Sequence, residues 1–552
     1  MGTLSIVSFV GFTLLVAGIA WYSTRKTDES TADGFYLAGR SLGALTIAGS
    51  LLLTNLSAEQ IVGLNGQAFS EGIMVMAWET LAAIAIIITA IFLLPKYLGS
   101  GITTIPEFIE KRFDRPTKAI LSVLFLIAYS IVLLPTILYS GSLAFSTMLD
   151  VPDMLNMSEG GTLWLLVWSI GIIGIIYAIF GGLKAVAVSD LINAIGLLIG
   201  GLLIPIFGLS IIGDGSISEG LSTLWNSNPD KFDSIGEVDS SIPFGTIFTG
   251  MMVAQLYYWG TNQSILQRVF GAKSLAEGQK GMMAAAFVKF LIPIIVVLPG
   301  IIAWHLFDGN LENADNAYPA LVREVLPSAL LGFFAAVLFG AVLSSFNSLL
   351  NSSATLFGFD LYKQYFKKDA TEKQTVKAGK IFGLLVAAIA MTIAPFIANA
   401  PDGLFSYIQQ SLGSLSVPIL AVVVIGVLTK KVPALGAKIV LTAGVLMYLI
   451  SLLVLEPQFR DSAVAAAEAS GITDAKELSV IKATAYPHFL HVMGILFVVN
   501  AIIMLLVGKL KPKTDVYVPI KTTEIDTTPW KYTKPVGVAI AVLVISTYLI
   551  FR

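Results

Sequence analysis

Cysteine is absent from this chain, and histidine and charged residues are scarce. Without cysteine the chain can form neither a disulfide framework nor a thiolate metal site. The three histidines, His305, His488 and His491, are too few and too scattered to indicate a metal centre. Charged residues make up 13% of the 552 residues, about half of what a soluble domain carries. The formal net charge of −2 gives no indication of a nucleic-acid partner.

Apolar residues dominate the composition: 56% of the chain is hydrophobic, and the mean hydropathy is +0.82. Many apolar runs approach the roughly 20 residues that cross a bilayer as a helix. This pattern predicts an all-α integral membrane protein with about fourteen transmembrane helices. The expected helices are 3–22, 43–69, 72–98, 119–148, 162–180, 185–212, 244–264, 278–306, 328–365, 377–399, 403–428, 434–455, 487–508 and 533–551. The first follows no basic segment and has no obvious cleavage site, so we expect a retained helix rather than a signal peptide.

The distribution of lysine and arginine predicts the orientation, because cytoplasmic loops of membrane proteins are rich in these residues. If the N-terminus is outside, most of the 34 basic residues fall in inside loops or at their flanking helix ends. We therefore expect a multi-pass protein of the inner (plasma) membrane with both termini extracellular or periplasmic. The longer outside loops, 213–243, 307–327 and 456–486, are acidic and polar, and each is too short for a catalytic domain. Within the last loop, 463–469 predicts a short surface helix.

Polar groups interrupt several predicted helices at mid-membrane, where an unpaired charge costs at least ~3 kcal/mol. The interruptions are TNLSAEQ (54–60), Glu79 beside Trp78, QLYYWGTNQ (255–263), Lys289 and SSFNSLLNSS (344–353). A helix broken at this depth persists only where protein or water satisfies its freed backbone. These segments therefore predict an internal pocket or path for a polar solute.

Structural roles are the alternative reading of these groups. Serine in membrane helices often bonds to a carbonyl one turn back, and we favour that role for Ser352 and Ser353. Trp78 could simply pack against its neighbours. Glu79 and Lys289 could form a mutual structural ion pair instead of contacting a solute.

The side chains of these segments suit recognition rather than catalysis. Carboxylate, amides, an ammonium group and aromatic rings can together bond many hydroxyls and stack on the apolar face of a sugar. No nucleophile lies beside a base, and paired carboxylates are lacking at mid-membrane, so we do not expect an enzyme. The hydroxyls of Ser344 and Ser345, with carbonyls freed by a broken second helix, would supply the oxygen ligands that sodium prefers.

Six segments, in this order along the chain, are shared with a known family. They are NLSAEQ (55–60), TIPEFIEKRFD (104–114), YAIFGGLKAVAVSD (177–190), YYWGTNQSILQR (257–268), AKSLAEGQKG (272–281) and LSSFNSLLNSSATLF (343–357). The chain resembles the sodium:solute symporter family, which includes the sodium/glucose cotransporters, over nearly its whole length. It looks closest to the YidK-like bacterial branch and is also similar to the bacterial sodium/galactose transporter.

The resemblance implies a leucine-transporter-type fold with two inverted five-helix repeats. The implied divisions are an extra N-terminal helix and loop (1–42), repeat 1 (43–212), an extracellular loop (213–243), repeat 2 (244–455), and a loop with two C-terminal helices (456–552). In the residues themselves the repeat shows only as a polar break early in each half, at 53–57 and 258–263.

The resemblance also implies which residues bind. Sodium would be held by backbone oxygens of Leu53, Leu56 and Ala341 and by the hydroxyls of Ser344 and Ser345. The solute pocket would contain Gln60, Glu79, Lys289 and Gln409, with Asn55, Ser57, Gln255 and Trp78 nearby. Tyr258 would stack on the solute as the inner gate, and Asn262 would help to hold that tyrosine. Asp190 would lie near the sodium exit path, and a second sodium would involve Asp190, Asn347 and Ser348.

Three positions depart from the sodium/galactose transporter. Gln255 stands in place of an asparagine, Trp78 in place of a tyrosine, and Ala82 in place of a serine. The shape and hydrogen bonding of the pocket are therefore altered.

These observations predict a symporter that uses Na+ to import a neutral monosaccharide, such as a galactose- or glucose-like hexose, by alternating access. A sialic acid, inositol or an amino acid is the alternative solute. Lys289 could pair with a carboxylate, but Glu79 beside it would disfavour an anion. A membrane solute sensor is a more distant alternative, against which the lack of a kinase-like region before Arg552 counts. The expected partners are the solute, sodium and the lipid bilayer, and the oligomeric state is not predicted.

Overall fold

The computed structural model describes residues 3–24, 38–180, 183–399, 404–514, 517–518 and 525–552. Within these ranges the chain forms helices joined by short segments. Their β pairing consists of two isolated bridges, Leu42 with Ala272 and Ser274 with Asp526. The predicted all-α class is therefore confirmed.

We number the α-helices in chain order. The first half of the chain contains α1 (Thr3–Thr24), α2 (Ala44–Asn55), α3 (Ala58–Glu71), α4 (Ala77–Ile88), α5 (Leu94–Gly99), α6 (Ile105–Arg112), α7 (Arg115–Ile127), α8 (Leu134–Leu149), α9 (Val151–Leu155), α10 (Glu159–Phe180), α11 (Leu183–Ile212) and α12 (Ile217–Ser227). The second half contains α13 (Gly250–Thr261), α14 (Gln263–Phe270), α15 (Leu275–Leu291), α16 (Pro293–Val296), α17 (Leu298–Leu306), α18 (Ala317–Val325), α19 (Ser328–Thr355), α20 (Glu372–Ile393), α21 (Leu404–Leu428), α22 (Ala434–Ile450), α23 (Glu456–Ala469), α24 (Ala475–Thr484), α25 (Phe489–Leu510) and α26 (Thr533–Ile550).

In the described ranges, eleven helices are long and apolar enough to cross a membrane, or up to twelve if Leu275–Leu291 and Pro293–Leu306, bent by 45°, form one span. The predicted number of fourteen is not confirmed. The predicted spans 43–69 and 72–98 meet within one apolar stretch of 42 residues, Ala58–Gly99, in which the backbone leaves the helix at Gly72 (φ 84°, ψ −151°). The span predicted at 244–264 is instead divided between α13 and α14, which have 12 and 8 residues.

The first interrupted helix is the α2–α3 pair. Leu56 leaves the helical conformation (φ −79°, ψ 59°), and Ser57 is extended (φ −88°, ψ 179°) before α3 begins. Serine is a preferred residue at the start of a helix, but the Ser57 hydroxyl makes no capping hydrogen bond to α3. The break falls in the predicted 53–57 segment and interrupts the backbone hydrogen bonding of α2 at its C-terminus.

The second interrupted helix is the α13–α14 pair, which breaks at Asn262 (φ −72°, ψ 123°). The Asn262 side chain caps α14 by accepting a hydrogen bond from the Ser264 backbone N–H at 3.0 Å. The backbone N–H of Asn262 donates a hydrogen bond to the Tyr257 carbonyl at 3.1 Å. Asparagine is among the best residues for this capping position, so the predicted break at 258–263 has a local cause.

Small residues bring the interrupted helices close to their neighbours. A Cβ on Gly49 of α2 would lie 2.9 Å from the Leu191 Cα of α11, and a Cβ on Gly281 of α15 would lie 2.9 Å from the Ala44 carbonyl. Glycine at such contacts lets two backbones approach more closely than any side chain allows, a common device of membrane helices. The α2 helix is thereby packed between α11 and α15, next to α19.

Short elements cover one end of the helix bundle. They include α12, α18 and the turn Ala314–Asn316, and we call this end the outer face, following the predicted orientation. The surface helix predicted at 463–469 is part of the longer α23.

Candidate solute and sodium site

A central cavity of about 70 Å³ lies between the two interrupted helices, α4, α15, α19 and α21. Its lining includes nine of the predicted site residues: Asn55, Gln60, Trp78, Glu79, Gln255, Tyr258, Lys289, Ser345 and Gln409. Nine others do not line it: Leu53, Leu56, Ser57, Asp190, Asn262, Ala341, Ser344, Asn347 and Ser348. The volume is well below the roughly 300–1,000 Å³ of typical small-molecule pockets, so a monosaccharide would require the cavity to expand.

The carboxylate of Glu79 has two partners in the lining. Its Oε2 accepts a hydrogen bond from the Lys289 ammonium group, and its Oε1 accepts one from Gln60 Nε2 at 2.6 Å. Glu79 and Lys289 are both fully buried. The mutual ion pair considered from the sequence is therefore present, and it compensates both charges.

Aromatic residues surround this ion pair. The Lys289 ammonium lies 5.7 Å from the ring centre of Trp259, within the range of a cation–π interaction. The side-chain amide of Gln255 is only partly available to a solute, because its Nε2 donates a hydrogen bond to the Trp78 carbonyl at 2.8 Å. This bond fixes the start of α4, where Trp78 and Glu79 are adjacent.

Several polar atoms of the lining have no protein partner among the described residues. They include the indole N–H of Trp78 and the hydroxyl of Thr54. Leaving such a group without a partner costs about 1–3 kcal/mol, so water or a solute is needed beside it. Glu59 also lines the cavity and was missed as a site residue, although it lies in the same TNLSAEQ segment that pointed to the pocket.

The predicted gate residue, Tyr258, lines the cavity and packs edge-on against Trp259 at 5.3 Å between ring centres. The residue expected to hold it, Asn262, has other partners. Asn262 Oδ1 accepts from the Tyr129 hydroxyl at 2.7 Å and from the Ser264 hydroxyl at 2.8 Å. The sequence analysis did not identify Tyr129, because its hydrogen-bond partner, Asn262, lies 133 positions away in the chain.

The predicted sodium residues meet where α2 ends. The Ser345 hydroxyl donates to the carbonyls of Thr54 at 3.1 Å and Leu53 at 3.5 Å, while the Ser344 side chain interacts with the Asp190 carboxyl group. Leu56, the residue after α2, and Ala341 of α19 are also buried. A set of hydroxyl and carbonyl oxygens beside a broken helix fits a hard cation such as sodium, and the Thr54 carbonyl is an addition to the predicted set.

The proposed exit region lies one turn further along α19. Asp190 Oδ2 accepts a hydrogen bond from the Ser50 hydroxyl at 2.6 Å, and Asp190 also interacts electrostatically with the buried guanidinium of Arg268. Arg268 donates to the Ser348 hydroxyl, whereas both amide atoms of Asn347 have no partner in the described ranges. Arg268 was not predicted as a member of this cluster.

Phe405 separates the central cavity from a larger outer cavity of about 470 Å³. Its ring packs edge-on against Trp78, with 5.2 Å between ring centres, and Phe405 lines both cavities. The Trp78–Phe405 contact therefore closes the central cavity towards the outer face.

Two interrupted helices around a polar cavity, with a serine pair beside the first break, are the arrangement of a secondary transporter. Comparison with known proteins gives the particular group: the chain belongs to the sodium:solute symporter family, whose model matches residues 35–444. Homologues in this family are sodium-coupled transporters, a class without catalytic activity. Family and apolar helices together indicate a multi-pass membrane protein that carries a small solute with sodium.

Three relatives illustrate the range of this similarity. The chain is 43% identical to the "Uncharacterized symporter YidK" of Escherichia coli over 99% of this chain and 91% of that protein. It is 36% identical to the sodium/glucose cotransporter of Vibrio parahaemolyticus, covering 80% of this chain and 84% of that one. It is 30% identical to the human sodium/myo-inositol cotransporter 2, and the alignment covers 81% of this chain and 69% of that one.

The fold is also found among solved structures. A substrate-bound, outward-open sodium-coupled sialic acid symporter aligns with a TM-score of 0.68 and 20% identity, covering 91% of this chain and 98% of that one. At this identity the likeness concerns the fold alone.

Proposed function

We propose that this protein is a sodium-coupled symporter that imports a neutral monosaccharide across the inner membrane by alternating access. The observation that carries the proposal is the compensation of Glu79 by Lys289 and Gln60 inside the central cavity. A solute entering there meets the neutral Glu79–Lys289 ion pair, the carboxyl group of Glu59, amide groups and aromatic rings, which suit hydroxyl groups better than an anion. The names of the glucose and inositol relatives are consistent with such a solute.

Sodium coupling is supported by the groups at the first helix break. A cation held by Ser344, Ser345 and the freed carbonyls of Leu53 and Thr54 would join α2 to α19. Binding of sodium and solute to the same arrangement shifts one conformational equilibrium, and this shared shift is the coupling. The unpartnered amide of Asn347 near Asp190 is compatible with a second sodium.

Inositol is the second candidate solute, because it presents a ring of hydroxyl groups to the same amides. A sialic acid or an amino acid fits less well. Its carboxylate would compete with Glu79 for Lys289, which is the one ammonium group in the described lining. In the proposed cycle, the solute is released towards the cytoplasm past the Tyr258 gate after sodium leaves. The proposal also places both chain termini outside.

Uptake into proteoliposomes tests the proposal. We would compare labelled hexoses, deoxysugars, inositol, a sialic acid and an amino acid under an inward sodium gradient, with potassium or choline as the control. We expect accumulation of a neutral sugar that is lost in Ser345→Ala and Gln60→Ala. Ser353→Ala is the matched control, since that hydroxyl bonds only within its own helix to Leu349.

Two results would contradict the proposal in different ways. Accumulation of an anionic solute alone would keep sodium symport but overturn the interpretation of Glu79 and Lys289. Accumulation under a proton gradient but not under a sodium gradient would overturn the sodium site at Ser344 and Ser345.

A further inference from the structure

Lysine residues gather at one end of the three helices α21, α22 and α25, which pack against one another. Two of them follow α21, one lies in the last turn of α25, and two more follow that helix. We call these five residues the basic cluster: Lys430, Lys431, Lys509, Lys511 and Lys513. In the predicted orientation this end of the helices is at the cytoplasmic face.

Backbone hydrogen bonds join the two segments that carry the basic cluster. The backbone N–H of Lys513 donates to the Lys431 carbonyl at 2.8 Å, and that of Tyr517 donates to the Lys430 carbonyl at 3.3 Å. The buried guanidinium of Arg112 contacts both segments, because it lies 5.2 Å from the ring centre of Tyr517 and donates to the Val432 carbonyl at 3.2 Å. The preference of cytoplasmic loops for lysine explains the composition of each segment, but not the pairing that brings their lysines together.

The charge of the basic cluster is not compensated. Within the described residues, none of its five lysines forms an ion pair. Lys438 of α22 differs in this respect, since its ammonium group is paired with Asp114 at 2.6 Å. Asp515, the one acidic residue of the 509–517 segment, lies outside the described residues, and a single acid cannot balance five lysines. Like charges held together repel one another, so an anion beside them is stabilising.

Exposed leucines next to the basic cluster indicate the kind of anion. Leu428 and Leu510, which adjoin the lysines in sequence, are 71% and 78% exposed, and Leu435 of α22 is also exposed. Large apolar side chains beside lysines are typical of the boundary between acyl chains and headgroups, where lysine stems follow the apolar surface and the ammonium groups reach the polar layer. A free phosphate ion would use the ammonium groups but not the leucines, whereas a lipid uses both.

We propose that the basic cluster binds the headgroup of an anionic phospholipid of the cytoplasmic leaflet, with the acyl chains against Leu428, Leu435 and Leu510. The lipid phosphate accepts hydrogen bonds from the ammonium groups and offsets their repulsion, so the bound lipid holds the adjacent ends of α21, α22 and α25 together. One of these helices, α21, also carries Gln409 of the central cavity. The inference is independent of the proposed function, since neither sodium nor a transported solute takes part.

Native mass spectrometry of the full-length protein released from lipid nanodiscs tests the site. The nanodiscs contain equal amounts of phosphatidylcholine, which has no net charge, and phosphatidylglycerol, which is anionic, and the lipids retained by the protein are counted. Both leaflets have the same composition, so the result does not depend on the orientation of the chain. We expect preferential retention of phosphatidylglycerol. The preference should fall about tenfold or more when all five lysines of the basic cluster are replaced by glutamine, since each basic residue near the surface adds to the attraction.

A second group of lysines on the same face provides a matched control. Like the basic cluster it has four exposed members and one that is partly buried, but Asp369 and Glu372 lie among them. The control variant combines Lys363→Gln, Lys367→Gln, Lys368→Gln, Lys373→Gln and Lys377→Gln. It loses the same charge and should keep most of the preference for phosphatidylglycerol. Arginine at the five positions of the basic cluster conserves the charge and should also keep it.

Thermal unfolding provides a second measurement and verifies that each variant is folded. Phosphatidylglycerol should raise the unfolding temperature of the wild type relative to phosphatidylcholine alone, because it offsets the repulsion within the basic cluster. The variant with glutamine at all five positions should lose this increase, and the control variant should retain it.

Three results would overturn the inference. The first is equal retention of the two lipids by the wild type, or an unchanged preference in the folded protein with glutamine at the basic cluster. The second is an equal loss in both glutamine variants, which would show that net charge alone attracts the lipid. The third is displacement of phosphatidylglycerol by inorganic phosphate at millimolar concentration, which would identify a site for a free anion. Failure of sodium-driven uptake would contradict the proposed function and leave the lipid site standing.

Discussion

At the centre of the molecule, the Glu79 carboxylate is bonded on one oxygen by Lys289 and on the other by Gln60. Two charges removed from water are tolerated there only because each compensates the other. In the proposed function the same pair also decides which solutes suit the cavity, so a structural role and a binding role would coincide in these residues.

This coincidence leads to a prediction for single and double variants. Lys289→Ala leaves Glu79 buried without its counter-charge and should lower the free energy of unfolding by about 3–5 kcal/mol. Glu79→Ala combined with Lys289→Ala should be more stable than Lys289→Ala alone. Thermal unfolding in detergent measures the relative stability of these variants and the wild type. Lys280→Ala, which breaks a more exposed pair with Glu277, should change stability by about 1 kcal/mol or less; equal effects at both sites would refute the argument.

Asp315 at the outer face allows a prediction about pH. Burial raises the pKa of Asp315 from 3.8 to about 6, although the hydrogen bond from the Leu404 N–H opposes this change. The folded state therefore holds the proton more tightly than the unfolded state, and stability falls as the pH rises from about 3.8 to about 6. Above that window the charged carboxylate costs up to about 3 kcal/mol.

Asp315→Asn removes this charge while an amide oxygen can still accept the Leu404 hydrogen bond. We expect the variant to be more stable than the wild type at about pH 7.5, with the difference shrinking at about pH 4.5. Unfolding temperatures of both proteins across this range provide the measurement, with Asp308→Asn, at an exposed carboxylate of the same outer loop, as the control. A difference that is constant with pH would show that the effect does not come from the Asp315 charge.

Among the elements, the short helix α6, of 8 residues, is held at both ends by hydrogen bonds to distant parts of the chain. At its start, the Ile105 N–H donates to Gln263 Oε1 of α14 at 2.8 Å. At its end, the buried Arg112 guanidinium donates to the carbonyls of Gly426, Thr429 and Val432 at 2.8, 3.0 and 3.2 Å. The last carbonyls of a helix have no partner within it, so Arg112 completes the C-terminus of α21.

We therefore expect Arg112→Lys to damage the protein despite conserving the charge. An ammonium group cannot reproduce the planar fork that reaches three carbonyls, and at least one of them would lose its donor, at about 1–3 kcal/mol. Unfolding temperature and maximal uptake rate should both fall. Arg115→Lys, at an exposed position beside Glu110, is the control and should change neither. Wild-type behaviour of Arg112→Lys would show that the fork is dispensable.

The interrupted helices are the elements that the sequence predicts best. Polar residues at 53–57 and 258–263 indicated two breaks, and the chain leaves the helix at Leu56 and at Asn262. The predicted number of spans is not confirmed, because apolar length alone does not show which segments form helices long enough to cross a membrane without a break. Broken and continuous segments have similar composition, and backbone geometry distinguishes them.

At the scale of the whole molecule, the orientation in the membrane remains a prediction from the distribution of basic residues. The lack of cysteine makes it directly testable. A single cysteine in Asn226→Cys, at an exposed site of the 213–243 loop, should react with a membrane-impermeant maleimide in intact cells. Lys368→Cys, equally exposed in the 366–376 loop, should react only after the cells are opened. The reverse pattern would invert the proposed topology and with it the meaning of the outer cavity.

The sequence by itself determined the class of protein, the approximate helices and the positions of the breaks. It could do so because a bilayer constrains each segment locally: every span must be apolar, and every polar or interrupted stretch must face protein or water. Glu79, Lys289, Gln60 and the serine pair were identified on this ground alone, before their partners were visible.

Only the tertiary structure decided which of these groups meet. Arg112 and Gly426 are 314 positions apart, and Tyr129 and Asn262 are 133 apart, so neither pair leaves a local pattern. Such contacts depend on how each helix is tilted and rotated against its neighbours, which packing sets and hydropathy does not. The outer cavity arises in the same way, because Asp315, Tyr139 and Gln67 come from three separate elements.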